Sequence, residues 1–207
     1  ACAPFRRLYL CNKNLETISD YDSTKAKHKL LAEVCMAAYY EGDLIKTHYT
    51  EHQVTNPDAK SQLCTVLARS FADIGDTVRG KDLYLGNPQE SAQRDQLDKK
   101  LKDIFGKIYQ ELTTTTNGKK SAKEYYKDDT DGNYYKLRED WWTANRHTVW
   151  EAITCKAEQN DKYFRDRCSE GTTSTQGKCR CSDKPNTDPP TYFDYVPQYL
   201  RWFEEWA

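Results

Sequence analysis

The stretch 61–80, SQLCTVLARSFADIGDTVRG, repeats Leu63, Leu67, Phe71 and Ile74 at the spacing of one helical face and then meets Gly80. Glycine suits the left-handed residue that closes a helix, so the spacing predicts a helix over 61–79. Toward the N-terminus, 24–41 shows the same period in Leu30, Leu31, Val34, Cys35, Ala38 and Tyr39, with Gly42 as its expected stop. Toward the C-terminus, 90–112 reads as a long amphipathic rod that buries Leu97, Leu101, Ile104, Phe105 and Ile108. A fourth helix over 135–154 carries Leu137, Trp141, Trp142, Thr148, Val149, Ala152 and Ile153 in a broad apolar stripe. A last one starts near Pro197, a residue suited to a first turn, and is expected to pack Val196, Leu200, Phe203 and Trp206. Between them, 113–132 and 169–191 lack hydrophobic period and read as loops. No segment alternates as a strand does, so the fold class is all-α.

Composition sets the terms on which these helices can pack. The 207 residues are 37% hydrophobic and 30% charged, with a mean hydropathy of −0.97. A core built from so little aliphatic bulk leans on the five Trp, fifteen Tyr and six Phe. Eight cysteines in so polar a chain suit an oxidising, extracellular setting, where bridges restrict the unfolded ensemble. All eight, Cys2, Cys11, Cys35, Cys64, Cys155, Cys168, Cys179 and Cys181, are therefore expected in disulfides. Their pairing stays open. Cys179 and Cys181 flank one residue and should take different partners, Cys155 and Cys168 being nearest in sequence. Cys35 and Cys64 would staple the first two helices. The longest uncharged apolar run, 34–40, falls far short of the roughly 20 residues of a membrane span, and no signal peptide is present. The chain stops inside an aromatic helix pattern and reads as part of something longer.

Few residues invite a catalytic reading. His48-Tyr49-Thr50-Glu51-His52 matches the H-x-x-E-H pattern in which two imidazoles one helical turn apart hold zinc. It lies in a polar stretch running to Asn56-Pro57, without an obvious sturdy helix or a further carboxylate ligand, so no metal is expected there. The late cysteines offer a C-x-C and not the paired knuckles of a zinc site. There is no nucleophile elbow and no phosphate-cradling glycine pattern, so neither an enzyme nor a cofactor is expected. Trp141-Trp142 sits in a helical stripe and reads as core. Lysines cluster at Lys25, Lys27 and Lys29, at Lys99, Lys100, Lys102 and Lys107, and at Lys119, Lys120, Lys123 and Lys127. With a net charge of −1 there is no global basic field for nucleic acid, so any polyanion site must be a local patch assembled from such clusters.

Three blocks carry a family resemblance: Ala1-Cys2-Ala3-Pro4-Phe5-Arg6-Arg7-Leu8 with Leu10-Cys11-Asn12-Lys13-Asn14, then Ala68-Arg69-Ser70-Phe71-Ala72-Asp73-Ile74-Gly75-Asp76, then Leu137-Arg138-Glu139-Asp140-Trp141-Trp142-Thr143-Ala144-Asn145-Arg146. Together with the closing Tyr192–Trp206 string they resemble the alpha class of Duffy-binding-like domains of the erythrocyte membrane protein 1 family of the malaria parasite. The resemblance implies a cysteine-rich helical adhesion domain at the infected red-cell surface, outside the membrane. It implies a loop-rich first subdomain, placed at 1–80, and a helical-bundle second subdomain at 81–207, with the family's third subdomain absent. Its implied partners are red-cell glycans resembling heparan sulfate, blood-group sugars or complement receptor 1 in rosetting, together with host antibodies and neighbouring domains of the same chain. The alternative it leaves is a structural and antigenic head without its own receptor. Between the Asp73–Asp76 and Pro197–Arg201 blocks this chain has four cysteines, whereas two-cysteine versions are the ones associated with rosetting.

Overall fold

The computed structural model describes residues 2–18, 25–55, 62–112, 122–127, 132–161, 163, 168, 175, 177–182, 184 and 186–207. In chain order these form α1 (Phe5–Leu8), α2 (Lys13–Glu16), α3 (Ala26–Thr55), α4 (Leu63–Arg79), α5 (Pro88–Glu111), α6 (Ala122–Tyr125), α7 (Tyr135–Ile153), a 3-10 turn (Phe193–Tyr195) and α8 (Gln198–Trp206). Among the described residues there is no strand, so the fold is all-α as the periodicity demands. None of these helices is long and apolar enough to cross a membrane.

Local chemistry explains the ends that periodicity placed well. Asn87 accepts from the Glu90 N–H at 2.9 Å while Glu90 accepts from the Asn87 N–H at 2.8 Å, a capping box that starts α5 with Pro88 in its first turn. At the end of α4, Gly80 is left-handed at φ 74°, and the Lys81 N–H returns to the Asp76 carbonyl at 2.8 Å.

The first helix departs from expectation because Gly42 does not stop it. α3 runs on through Thr55, continuing with Leu44, Ile45 and Tyr49. Gly42 serves instead as a contact point with α7, for a Cβ there would lie 2.0 Å from the Ile153 carbonyl oxygen. That oxygen belongs to backbone and cannot swing aside. Gly42→Ala is therefore expected to push α3 from α7 and cost about 1–3 kcal/mol, a fall of roughly 5 °C in Tm by circular dichroism. An unchanged Tm would show that the two backbones separate freely.

α3, α4 and α7 enclose an aromatic centre. The Phe71 ring lies 5.1 Å from both Trp142 and Trp150, and Trp141 meets Phe105 of α5 edge-on at 6.0 Å. Trp141 and Trp142 are thus core residues, and the five apolar residues expected on α5 are all buried. α8 reverses its expected orientation. Gln198, Arg201 and Trp202 face inward, whereas Val196, Leu200, Phe203 and Trp206 are exposed, Phe203 to 69% and Trp206 to 55%.

Two disulfides are formed, Cys64–Cys179 and Cys168–Cys181. Cys179 and Cys181 do take different partners, but Cys64 bonds to Cys179 and not to Cys35. The reason is tertiary: the Trp150 indole donates to the Cys179 carbonyl at 3.1 Å, and the Cys179 N–H donates to Asp161 O at 2.9 Å. These bonds seat 177–181 against α7, next to α4. Cys2, Cys11, Cys35 and Cys155, all expected in bridges, carry free thiols.

Candidate ligand-binding surface

α5 gathers one of the expected lysine clusters. Lys99, Lys102, Gly106 and Gln110 recur at helical spacing, with Lys107 beside them. Lys100, Lys102 and Lys107 border a cleft of about 560 Å³ with Asp103, Gly106 and Tyr134. Gly106 makes room for the Tyr134 ring, whose hydroxyl would lie 3.3 Å from a Cβ at that position. Neither Lys100 nor Lys102 is idle. The Lys100 ammonium donates to the Glu16 carbonyl, tying α5 to α2, and Lys102 lies 2.9 Å from Asp98. Burial would push the Asp98 carboxyl up, yet its hydrogen bond from Lys102 and the charge of Arg138 hold it below the ordinary carboxylate range.

The other lysines distribute differently. Lys123 of α6 lies 5.4 Å from the Tyr109 ring of α5, and Lys99 is exposed. Lys25 and Lys27 are exposed at the start of α3, and Lys29 is half-buried there. Lys119 and Lys120 lie outside the described residues.

The H-x-x-E-H string lies on α3, correcting its placement in a non-helical stretch. His48 Nδ1 is 3.5 Å from Glu51, and the His52 ring stacks on Tyr49 at 6.3 Å. Among the described residues no three metal-ligating side chains gather. His48 and His52 rim a mainly apolar cleft of about 750 Å³ that Phe5, Tyr9, Leu44 and Tyr49 help to line.

Sequence periodicity missed the charged centre that positions these surfaces. Asp73 of α4 is fully buried, 2.7 Å from both Arg6 and Arg201. Arg201 also reaches Asp76 at 2.5 Å, and Asp76 in turn holds Arg79 at 2.8 Å. Gln198 donates to both Asp73 and Asp82, and Asp82 pairs with Arg7. A second buried pair, Arg146–Asp194 at 2.8 Å, also takes the Trp142 indole N–H. Burial alone would raise the Asp73 carboxyl, but Arg6 and Arg201 keep it below its ordinary value of 3.8. Asp73 and Asp76 lie off the Leu63, Leu67, Phe71 and Ile74 stripe of α4, so helical period alone gave no sign that they are buried.

Comparison with known proteins gives this arrangement a family. The Duffy binding domain model matches residues 1–201. No curated protein matches the chain. The solved NTS-DBL1α1 domain of Plasmodium falciparum membrane protein 1, varO strain, is similar at 46% identity and TM-score 0.78, covering 100% of this chain and 43% of that one. An ICAM-1-binding DBLβ domain of the same parasite protein family is similar at 32% identity and TM-score 0.67, covering 97% of this chain and 41% of that one. A further DBLβ domain, bound to human ICAM-1, is similar at 28% identity and TM-score 0.62 over 97% of this chain and 38% of that one. The chain therefore spans less than half the length of each of these solved relatives. With the family model matching residues 1–201 and an all-α fold similar to these solved domains, the chain belongs to the Duffy binding domain family.

Proposed function

We propose that this chain is a host-cell adhesion module, not an enzyme, displayed outside the membrane on the infected erythrocyte and binding sulfated, heparan-like glycans through the α5 lysines. The observation that carries the reading is the convergence of Lys100, Lys102 and Lys107 on one cleft whose lining, among the described residues, includes one acid, Asp103, with Asp98 engaging Lys102 from outside it. Such a rim recognises a dense anion through charge, so affinity falls as salt rises. The relatives described as binding ICAM-1 support a receptor-binding role in general. Blood-group sugars and complement receptor 1 are the competing receptors. Residues 1–80 and 81–207 serve in this proposal as its two subdomains.

The test is flow-cytometric binding of the oxidised protein to uninfected erythrocytes, with and without soluble heparin. Lys99→Glu with Lys107→Glu leaves the Lys100 contact to Glu16 and the Lys102 contact to Asp98 in place, and circular dichroism checks that the variant stays folded. At roughly 0.5–1 kcal/mol for each charge contact, the double reversal is expected to weaken heparin-sensitive binding about tenfold. Binding that ignores heparin, salt and both reversals would overturn the glycan reading.

The engagement of Lys100 with Glu16 and of Lys102 with Asp98 favours a second reading, an antigenic and structural head that supports a neighbouring receptor-binding domain. No erythrocyte binding by folded protein that immune sera recognise strongly would support it.

A further inference from the structure

Two positions beside the α5 cleft depart from what their own backbones favour. Gly106 stands inside the α5 rod, where alanine is the better helix former. The space its missing side chain leaves is taken by Tyr134: a Cβ at Gly106 would lie 3.3 Å from the Tyr134 hydroxyl and 3.5 Å and 3.6 Å from two of its ring carbons. Tyr134 itself precedes α7 in the left-handed conformation, φ 54° and ψ 35°, which a bulky residue rarely adopts, and its side chain makes no capping hydrogen bond. Neither helix propensity nor capping accounts for the pair. Both departures serve to set one half-buried aromatic ring in the cleft that Lys100, Lys102, Lys107 and Gln110 border. Along α5, Lys102 lies one turn before Gly106 and Gln110 one turn after it. The Tyr109 ring is 5.9 Å from that of Tyr134, and Lys123 of α6 is 5.4 Å from the Tyr109 ring, so a second lysine cluster reaches the same aromatic pair.

We propose, resting on the sulfated-glycan reading of this cleft, that Tyr134 is its specificity-determining residue, the platform on which one pyranose ring of the glycan stacks. The chemistry follows from the two kinds of group present. The C–H face of a pyranose is apolar and packs on an aromatic ring, while its sulfates and hydroxyls meet ammonium and amide groups at the edge of that ring. Lysines alone answer to charge and accept any dense polyanion. The ring adds a contact that only a sugar can use, so the site distinguishes a sulfated glycan from a polyanion without sugar rings, such as inorganic polyphosphate.

Calorimetric titration of the oxidised protein with two probes, a heparin oligosaccharide and inorganic polyphosphate, tests this. Tyr134→Asn removes the ring and places at 134 a residue that tolerates the left-handed backbone. It is expected to weaken oligosaccharide binding about fivefold and to leave polyphosphate within about twofold, whereas Tyr134→Phe keeps the ring and stays within about twofold for both. The Lys99→Glu, Lys107→Glu variant weakens both probes. A readout on unaltered protein does not depend on whether the variant folds: raising salt from about 0.15 M to about 1 M should abolish polyphosphate binding while the oligosaccharide keeps part of its affinity. If both probes bind, and Tyr134→Asn weakens neither or both alike, or salt removes both alike, the role of Tyr134 is overturned and the lysine reading stands. If neither probe binds the unaltered protein, the lysine reading fails and takes this proposal with it.

Discussion

Asp73→Asn is expected to cost about 3–5 kcal/mol, roughly 10 °C in Tm, because it leaves the buried guanidinium groups of Arg6 and Arg201 without their shared carboxylate. The amide fills the same space, so the loss is one of charge and not of packing. Its pH dependence follows from the depressed carboxyl. A group held below its unfolded value of 3.8 contributes stability that is fully present above that pH and is lost as pH falls through the folded value. Wild type gives up this contribution in acid, whereas the variant lacks it throughout. The Tm gap between the two, measured by circular dichroism, should be widest near neutral pH and narrow below about pH 4. A constant gap down to pH 2 would place the effect in packing.

Removing the Cys64–Cys179 bridge is the second large effect. The bond joins residues 115 apart, and in the chain-entropy account closing so long a loop contributes about 4–5 kcal/mol. Cys64→Ala with Cys179→Ala should lower the urea midpoint sharply while leaving the helical circular dichroism at low denaturant in place, since α4 and α7 keep their own aromatic contacts. A small change in midpoint would mean that the Trp150 bond to the Cys179 carbonyl already holds the segment without the cystine.

What was legible in the sequence was local. α4, α5 and α7 appear close to their expected bounds because a single apolar face with a cap at one end determines a helix from its own residues. α3 was cut short because glycine is ambiguous. It ends a helix when solvated, yet at Gly42 it lets another backbone approach, and only the position of Ile153 distinguishes the two cases. The proposed binding surface was legible to the extent that the α5 lysines lie on one element. Lys102 meets Asp98 one turn away on α5 itself, whereas the use of Lys100 on Glu16 depended on α2, 84 residues away in the chain.

α8 shows the boundary most clearly. Its apolar residues suggested burial, but the fold turns the helix so that Arg201 meets Asp73 and Asp76 and Phe203 faces out. By itself the sequence determined the helical class, the aromatic composition of the core and the family, all of which rest on short-range pattern. Tertiary structure alone decided which cysteines bond, which charges are buried and that Lys100 is tied to α2. Many of those outcomes depend on partners far away in the chain, up to 199 residues for Arg6 and Glu205, and a buried charge is stable only where a partner arrives.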